Sequence, residues 1–121
     1  MSRVLRERAA RGTLDVLVPT YNRPAALAVT LAGLAAQELA EFRVVISDQS
    51  DEPVASSREV RGVIRVLGAR GRIVQLLRHL PRRGMAEQRQ FLLDQSTAPY
   101  GLFLDDDVLL EPDVLRRLLS V

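Results

Sequence analysis

The 121-residue chain has no cysteine, no tryptophan and no lysine. Without cysteine there is no disulfide, no thiolate metal site and no cysteine nucleophile. Without lysine there is no Schiff-base chemistry and no P-loop lysine. All 17 basic residues are therefore arginines, set against 15 acidic residues for a net charge of +2. A single histidine, His79, argues against a His-rich zinc site and gives a Ser-His-Asp triad no support. Aromatic residues are only 4% of the chain, too few for base-stacking platforms, and no basic stripe gathers on one stretch. Both points argue against a nucleic-acid partner. The mildly apolar stretch from Ala25 to Ala36 is too short to span a bilayer, and no secretory signal pattern opens the chain. The expected location is cytoplasmic, with the inner membrane face as the alternative. Residues 1–12 form a basic leader carrying Arg3, Arg6, Arg8 and Arg11. It is read as a solvated terminus, with peripheral contact to an anionic membrane as the competing reading.

What is present is a core-forming composition, 47% hydrophobic, in a length that suits one domain, residues 13–121. Strands are predicted at Leu14–Val18, Phe42–Ser47, Arg72–Leu77 and Tyr100–Leu104, with Pro19 ending the first. Helices are predicted from Pro24 to about Glu38, from Val54 to Ala69, from Met85 to Ser96 with Phe91 and Leu92 facing the core, and from Val114 to Ser120. Strict alternation of strand and helix argues an α/β fold. It would be a Rossmann-like, mostly parallel sheet of about four strands with helices on both faces and right-handed crossovers. The last helix stops without a glycine cap, so the domain reads as truncated at its C-terminus.

In such sheets ligands bind beyond the carboxyl ends of the strands. Those ends carry Pro19 to Arg23, then Asp48 to Asp51, then His79 to Gly84, then Asp105-Asp106-Asp107. Three adjacent carboxylates repel, each pair about 4 Å apart costing roughly 4 kcal/mol at the effective dielectric of a protein surface. The triplet therefore calls for a cation, and oxygen-only ligands suit Mg²⁺ or Mn²⁺; an exposed acidic turn is the competing reading. A ring, amides, arginines and an acidic cluster on one edge suit a nucleoside diphosphate. Neither G-x-G-x-x-G nor G-x-x-x-x-G-K-[ST] follows the first strand. A receiver domain is excluded because the acidic cluster follows the fourth strand and lysine is absent.

Val18-Pro19-Thr20-Tyr21-Asn22-Arg23-Pro24, Ser47-Asp48-Gln49-Ser50, Gly84 to Gln90, and Phe103 to Asp107 followed by Glu111-Pro112 occur in one order. That ordered set resembles family 2 glycosyltransferases of the GT-A fold. The resemblance implies the N-terminal, nucleotide-sugar-binding part of that fold, and transfer of a sugar from a UDP-sugar donor to a saccharide or other hydroxyl acceptor with inversion. It implies that Tyr21 lies against the base beside the Pro19-Thr20 backbone, and that Asp48 accepts from the uracil or ribose. Gln49 stands where the family carries Asp or Asn, and Gln90 where it carries Asn. Arg82, Arg83 and Arg89 are candidates for the diphosphate, Asp105 or Asp106 for the ribose, and Asp107 with Asp105 for the divalent cation. The bland alternatives are a packing tyrosine, a turn-capping Asp48, solvated arginines and a structural His79. The resemblance places the general base after the acidic segment, so none is assigned; Glu111 and Asp113 are expected to cap the last helix. Other readings are a non-catalytic module prone to self-association and, lower, a sugar nucleotidyltransferase.

Overall fold

The computed structural model describes residues 13–120, so the leader lies outside the described residues. Four strands, β1 (Leu14–Thr20), β2 (Arg43–Asp48), β3 (Ile73–Arg78) and β4 (Tyr100–Phe103), form one sheet in the order β3-β2-β1-β4. Every pairing is parallel. The helices are α1 (Pro24–Ala35), α2 (Arg58–Ala69), α3 (Met85–Gln95) and α4 (Val114–Leu119).

Burial splits cleanly across the sheet, because successive strand residues point to opposite faces. Val16, Val18, Val44 and Ile46 pack with Leu27, Leu31 and Leu34 of α1, Val60 and Leu67 of α2, and Leu115 of α4. Leu17 and Val45 pack on the other face with Leu92 of α3. The chain steps outward from β1 to β3 with its helices on one face. It then returns past β1 to β4 with α3 on the opposite face. Reversing both direction and face keeps the hand of the crossovers constant. The reversal leaves a crevice between the carboxyl ends of β1 and β4, where open α/β sheets bind ligands.

Pro19 does not end β1, which continues to Thr20. The Leu17 carbonyl accepts from Leu104 on the β4 side, and the Thr20 carbonyl accepts from Gln49 on the β2 side. Alternation turns the missing Pro19 N–H toward β4, which has already stopped at Phe103. No ladder bond is lost there, and proline is tolerated on that ground. The second predicted helix is also divided. Val54–Ser56 is a single 3₁₀ turn, and α2 starts after Ser57, whose hydroxyl accepts from the Val60 N–H as its cap. Helix α1 ends at Ala35, short of Glu38. Phe91 is half-buried and stacks on His79, ring centroids 3.8 Å apart, instead of entering the core.

Buried Gln37 fixes the segment that follows the acidic triplet. Its amide nitrogen donates to the Glu111 carbonyl at 2.7 Å, and its amide oxygen accepts from the Leu115 N–H at 3.1 Å. Gly33 of α1 lets that segment pass closely: a Cβ there would stand 2.8 Å from Leu109 Cδ1. Asp113 sits at the start of α4 without a side-chain cap bond and pairs instead with Arg117 at 3.2 Å. Glu111 contributes its backbone carbonyl to Gln37. No helix among the described residues is long and apolar enough to cross a membrane.

Candidate nucleotide-sugar and cation site

One hydrogen bond spans the topological reversal: Thr20 Oγ1 donates to Asp106 Oδ2 at 2.9 Å. Asp106 is 5% exposed, whereas Asp105 and Asp107 on either side of it are exposed. The triplet thus turns one carboxylate inward to hold the loop and presents two outward. Arg23, one residue before α1, places Nη1 3.6 Å from Asp106 and 3.4 Å from Asp107. A guanidinium therefore relieves part of the repulsion that three adjacent carboxylates create. Thr20→Val is expected to cost about 1–3 kcal/mol, because buried Asp106 loses the Thr20 hydroxyl donor. Urea unfolding of the variant checks this.

The first loop is locked to the turn after β2. Asn22 adopts φ 55°, a left-handed conformation that asparagine tolerates. Its Nδ2 donates to Asp51 at 3.0 Å, its Oδ1 accepts from the Asp51 N–H at 2.9 Å, and its own N–H donates to Ser50 Oγ at 2.8 Å. From the α3 side, buried Gln88 donates to the Ser47 carbonyl at 2.9 Å. Neither Asn22 nor Gln88 stands out as a site residue in the sequence, although a glutamine four residues before buried Leu92, on the same helix face, is a usable signal.

Asp48 holds the turn after β2. It is fully buried, with Oδ1 accepting from the Ser50 N–H and Oδ2 from the Val54 N–H, both at 2.9 Å. Arg78, which nothing in the sequence marks as a site residue, adds an ion pair at 3.1 Å and donates to the Ser50 carbonyl at 2.7 Å. Neighbouring Gln49 is buried with its Nε2 unpartnered among the described residues. The Arg82 guanidinium does not project freely: its carbon lies 3.8 Å from the centroid of the Tyr21 ring. Arg83 is exposed, and Arg89 lies over the Phe103 ring at 5.7 Å, at the carboxyl end of β4. Gln90 is exposed and donates to Asp94 on its own helix. His79 Nε2 is held 2.8 Å from both oxygens of Glu87, which together with Phe91 makes it a fixed loop residue.

Among the described residues no three carboxylate or imidazole groups converge as a ready metal cage. The donor set still fits a hard divalent ion. Mg²⁺ and Mn²⁺ are commonly bound by one or two carboxylates, with phosphate oxygens and water completing the shell. Asp105 and Asp107 supply two such groups.

Known proteins match the chain in sequence and in fold. The chain is 38% identical over 110 residues to the succinoglycan biosynthesis protein ExoM of Rhizobium meliloti, covering 88% of this chain and 34% of ExoM. The fold matches the S. aureus TarS 1-349 complex with UDP-GlcNAc at TM-score 0.74 and 24% identity, over 89% of this chain and 30% of that one. It also matches the mannosyltransferase PcManGT of Pyrobaculum calidifontis, in complex with GDP-Man and Mn²⁺, at TM-score 0.71 and 23% identity, over 91% of this chain and 32% of that one. The chain thus spans about a third of the length of each of these matched chains. The family model for glycosyl transferase family 2 matches residues 15–121, and the chain belongs to that family.

Proposed function

We propose that this domain binds a nucleotide-sugar donor, a UDP-sugar by preference, with a divalent cation, for transfer of the sugar to an acceptor hydroxyl. The observation that carries the reading is the Thr20–Asp106 bond at 2.9 Å. It joins the β1 loop to the acidic triplet at the one crevice that the topology leaves open. Around it, Tyr21 offers a planar face to a base, and Arg82, Arg83 and Arg89 offer bidentate donors to phosphate. Asp107 and Asp105 would hold the cation, and Asp105 is also the outward carboxylate open to the ribose. Asp48 acts indirectly in this reading: it fixes the turn that carries Gln49. When bound, the cation would neutralise charge building on the departing diphosphate.

The reaction is a direct displacement. The acceptor oxygen forms a bond to the anomeric carbon as the carbon–oxygen bond to the diphosphate breaks, with inversion. The hydroxyl proton passes to a base that we assign to none of residues 13–120. TarS binding UDP-GlcNAc and PcManGT binding GDP-Man with Mn²⁺ support the donor class. Calorimetry of the folded chain with UDP is expected to show binding with Mn²⁺ and much weaker binding with EDTA. No heat under either condition overturns the reading.

A second reading, a module that associates through its edge, draws on the β4 side of the sheet. Tyr100 and Leu118 are exposed there and line a cleft of about 250 Å³ with Leu14 and Leu102. Sedimentation at high concentration separates the two, since a clean monomer removes the second.

A further inference from the structure

Resting on the donor reading above, we infer that Arg82 occupies the base-stacking face of Tyr21 in the free protein and leaves it when the donor binds. The same guanidinium would then be released to the diphosphate. The contact is close: 3.8 Å from guanidinium carbon to ring centroid. That is a stacking distance, and no second planar group fits between the two. A base can take that face only after Arg82 has moved.

The surroundings of Arg82 allow such a move. Arg82 is exposed and forms no ion pair or hydrogen bond among the described residues, so its contact with Tyr21 is the main thing that orders it. Gly84, two residues on, sits at φ 103° with nothing within 4 Å of an added Cβ. At Gly84 itself, therefore, no neighbouring group packs against the position a side chain would take. By contrast, Arg78 at the end of β3 is fixed to Asp48 and to the Ser50 carbonyl. The strand end is anchored and the arginine beyond it is held by one ring face.

The exchange makes a prediction of opposite sign for two ligands. A nucleoside without phosphates meets Arg82 only as a competitor for the ring. A nucleoside diphosphate meets it as a competitor and then as a phosphate partner. An exposed cation–π contact populates the covered state enough to weaken a competing ligand by about threefold. Loss of a guanidinium–phosphate pair outweighs that gain.

The test compares wild type with Arg82→Ala, using uridine and UDP as probes, the latter with Mn²⁺. Equilibrium dialysis or ligand-observed NMR reads both affinities. The expected result is that Arg82→Ala binds uridine about threefold more tightly and UDP about fivefold or more weakly. If uridine binding weakens or is unchanged, Arg82 does not compete for the ring. If UDP binding fails to weaken, Arg82 does not pass to the phosphates. Either result overturns the exchange while leaving the donor reading intact. Failure of the wild type to bind both ligands instead overturns the donor reading itself.

Discussion

Asp15→Ala is expected to lower the unfolding free energy by about 3–5 kcal/mol, the usual cost of breaking a buried ion pair from one side. Asp15 lies at the opposite end of the sheet from the candidate site, 1% exposed. Arg43 embraces it with Nε at 3.0 Å and Nη2 at 2.9 Å. Ser96 Oγ and the Thr97 and Ala98 N–H groups donate to it at 2.9, 2.9 and 3.1 Å. Against a typical domain stability of about 5–15 kcal/mol, that loss is large. Asp15→Asn keeps the shape but turns an amide N–H₂ toward these donors, so it is expected to recover little. Chemical denaturation at neutral pH measures both variants.

The same carboxylate sets an acid limit. Burial alone would raise its pKa, but the Arg43 bonds, the two backbone N–H groups and the Ser96 hydroxyl outweigh burial and hold it at about 2, against an ordinary 3.8. A carboxylate depressed in the folded state stabilises the fold fully above its unfolded pKa. The contribution is lost as pH falls from 3.8 toward about 2. At about 1.4 kcal/mol per pKa unit, roughly 2 kcal/mol disappears across that window. The stability gap between wild type and Asp15→Asn should therefore narrow by that amount between pH 5 and pH 2. A gap that stays constant would contradict the assignment.

Asp107→Ala is expected to remove the Mn²⁺ dependence of UDP binding and lower the affinity in Mn²⁺ by about 10–100-fold. Loss of groups that merely support a metal ligand costs that much, and the proposed role is more direct. The fold should be indifferent. The Asp107 side chain is 55% exposed, and its only ion pair among the described residues is with half-exposed Arg23, a contact that contributes about 0–1 kcal/mol. Calorimetry with and without Mn²⁺, beside a thermal melt, separates the effects. Unchanged UDP binding in a normally folded variant would remove Asp107 from the site.

The sheet was legible because its strands are written in β-branched and leucine runs flanked by proline, glycine and charge. Which side of a strand a missing N–H faces is not written locally, and for that reason Pro19 reads as a terminator yet sits inside β1. The polar strand ends were legible as a set because topology brings them to one edge. Their individual partners were not. The sequence around Asp48 does not show that its own turn and Arg78 bond to its carboxylate. Arg82 reads as a phosphate donor, and its contact with the Tyr21 ring is not written in the sequence. The Asp15–Arg43 pair had a visible cue: a lone acid in an apolar strand, set in register opposite the arginine that opens β2.

The β1–β4 pairing has a bearing on how the molecule is made. Thr20 and Asp106 are 86 positions apart, so their bond closes one of the longest loops in the domain. Contacts of that span form late, because the entropy of closing the loop must be met first. During synthesis, β1, β2 and β3 all emerge before β4 exists. A nascent chain at that stage can hold a three-stranded sheet and an apolar core face but has no crevice. On the proposed donor reading, the crevice is completed only when β4 docks, and a donor present at that moment would favour the docked form by mass action.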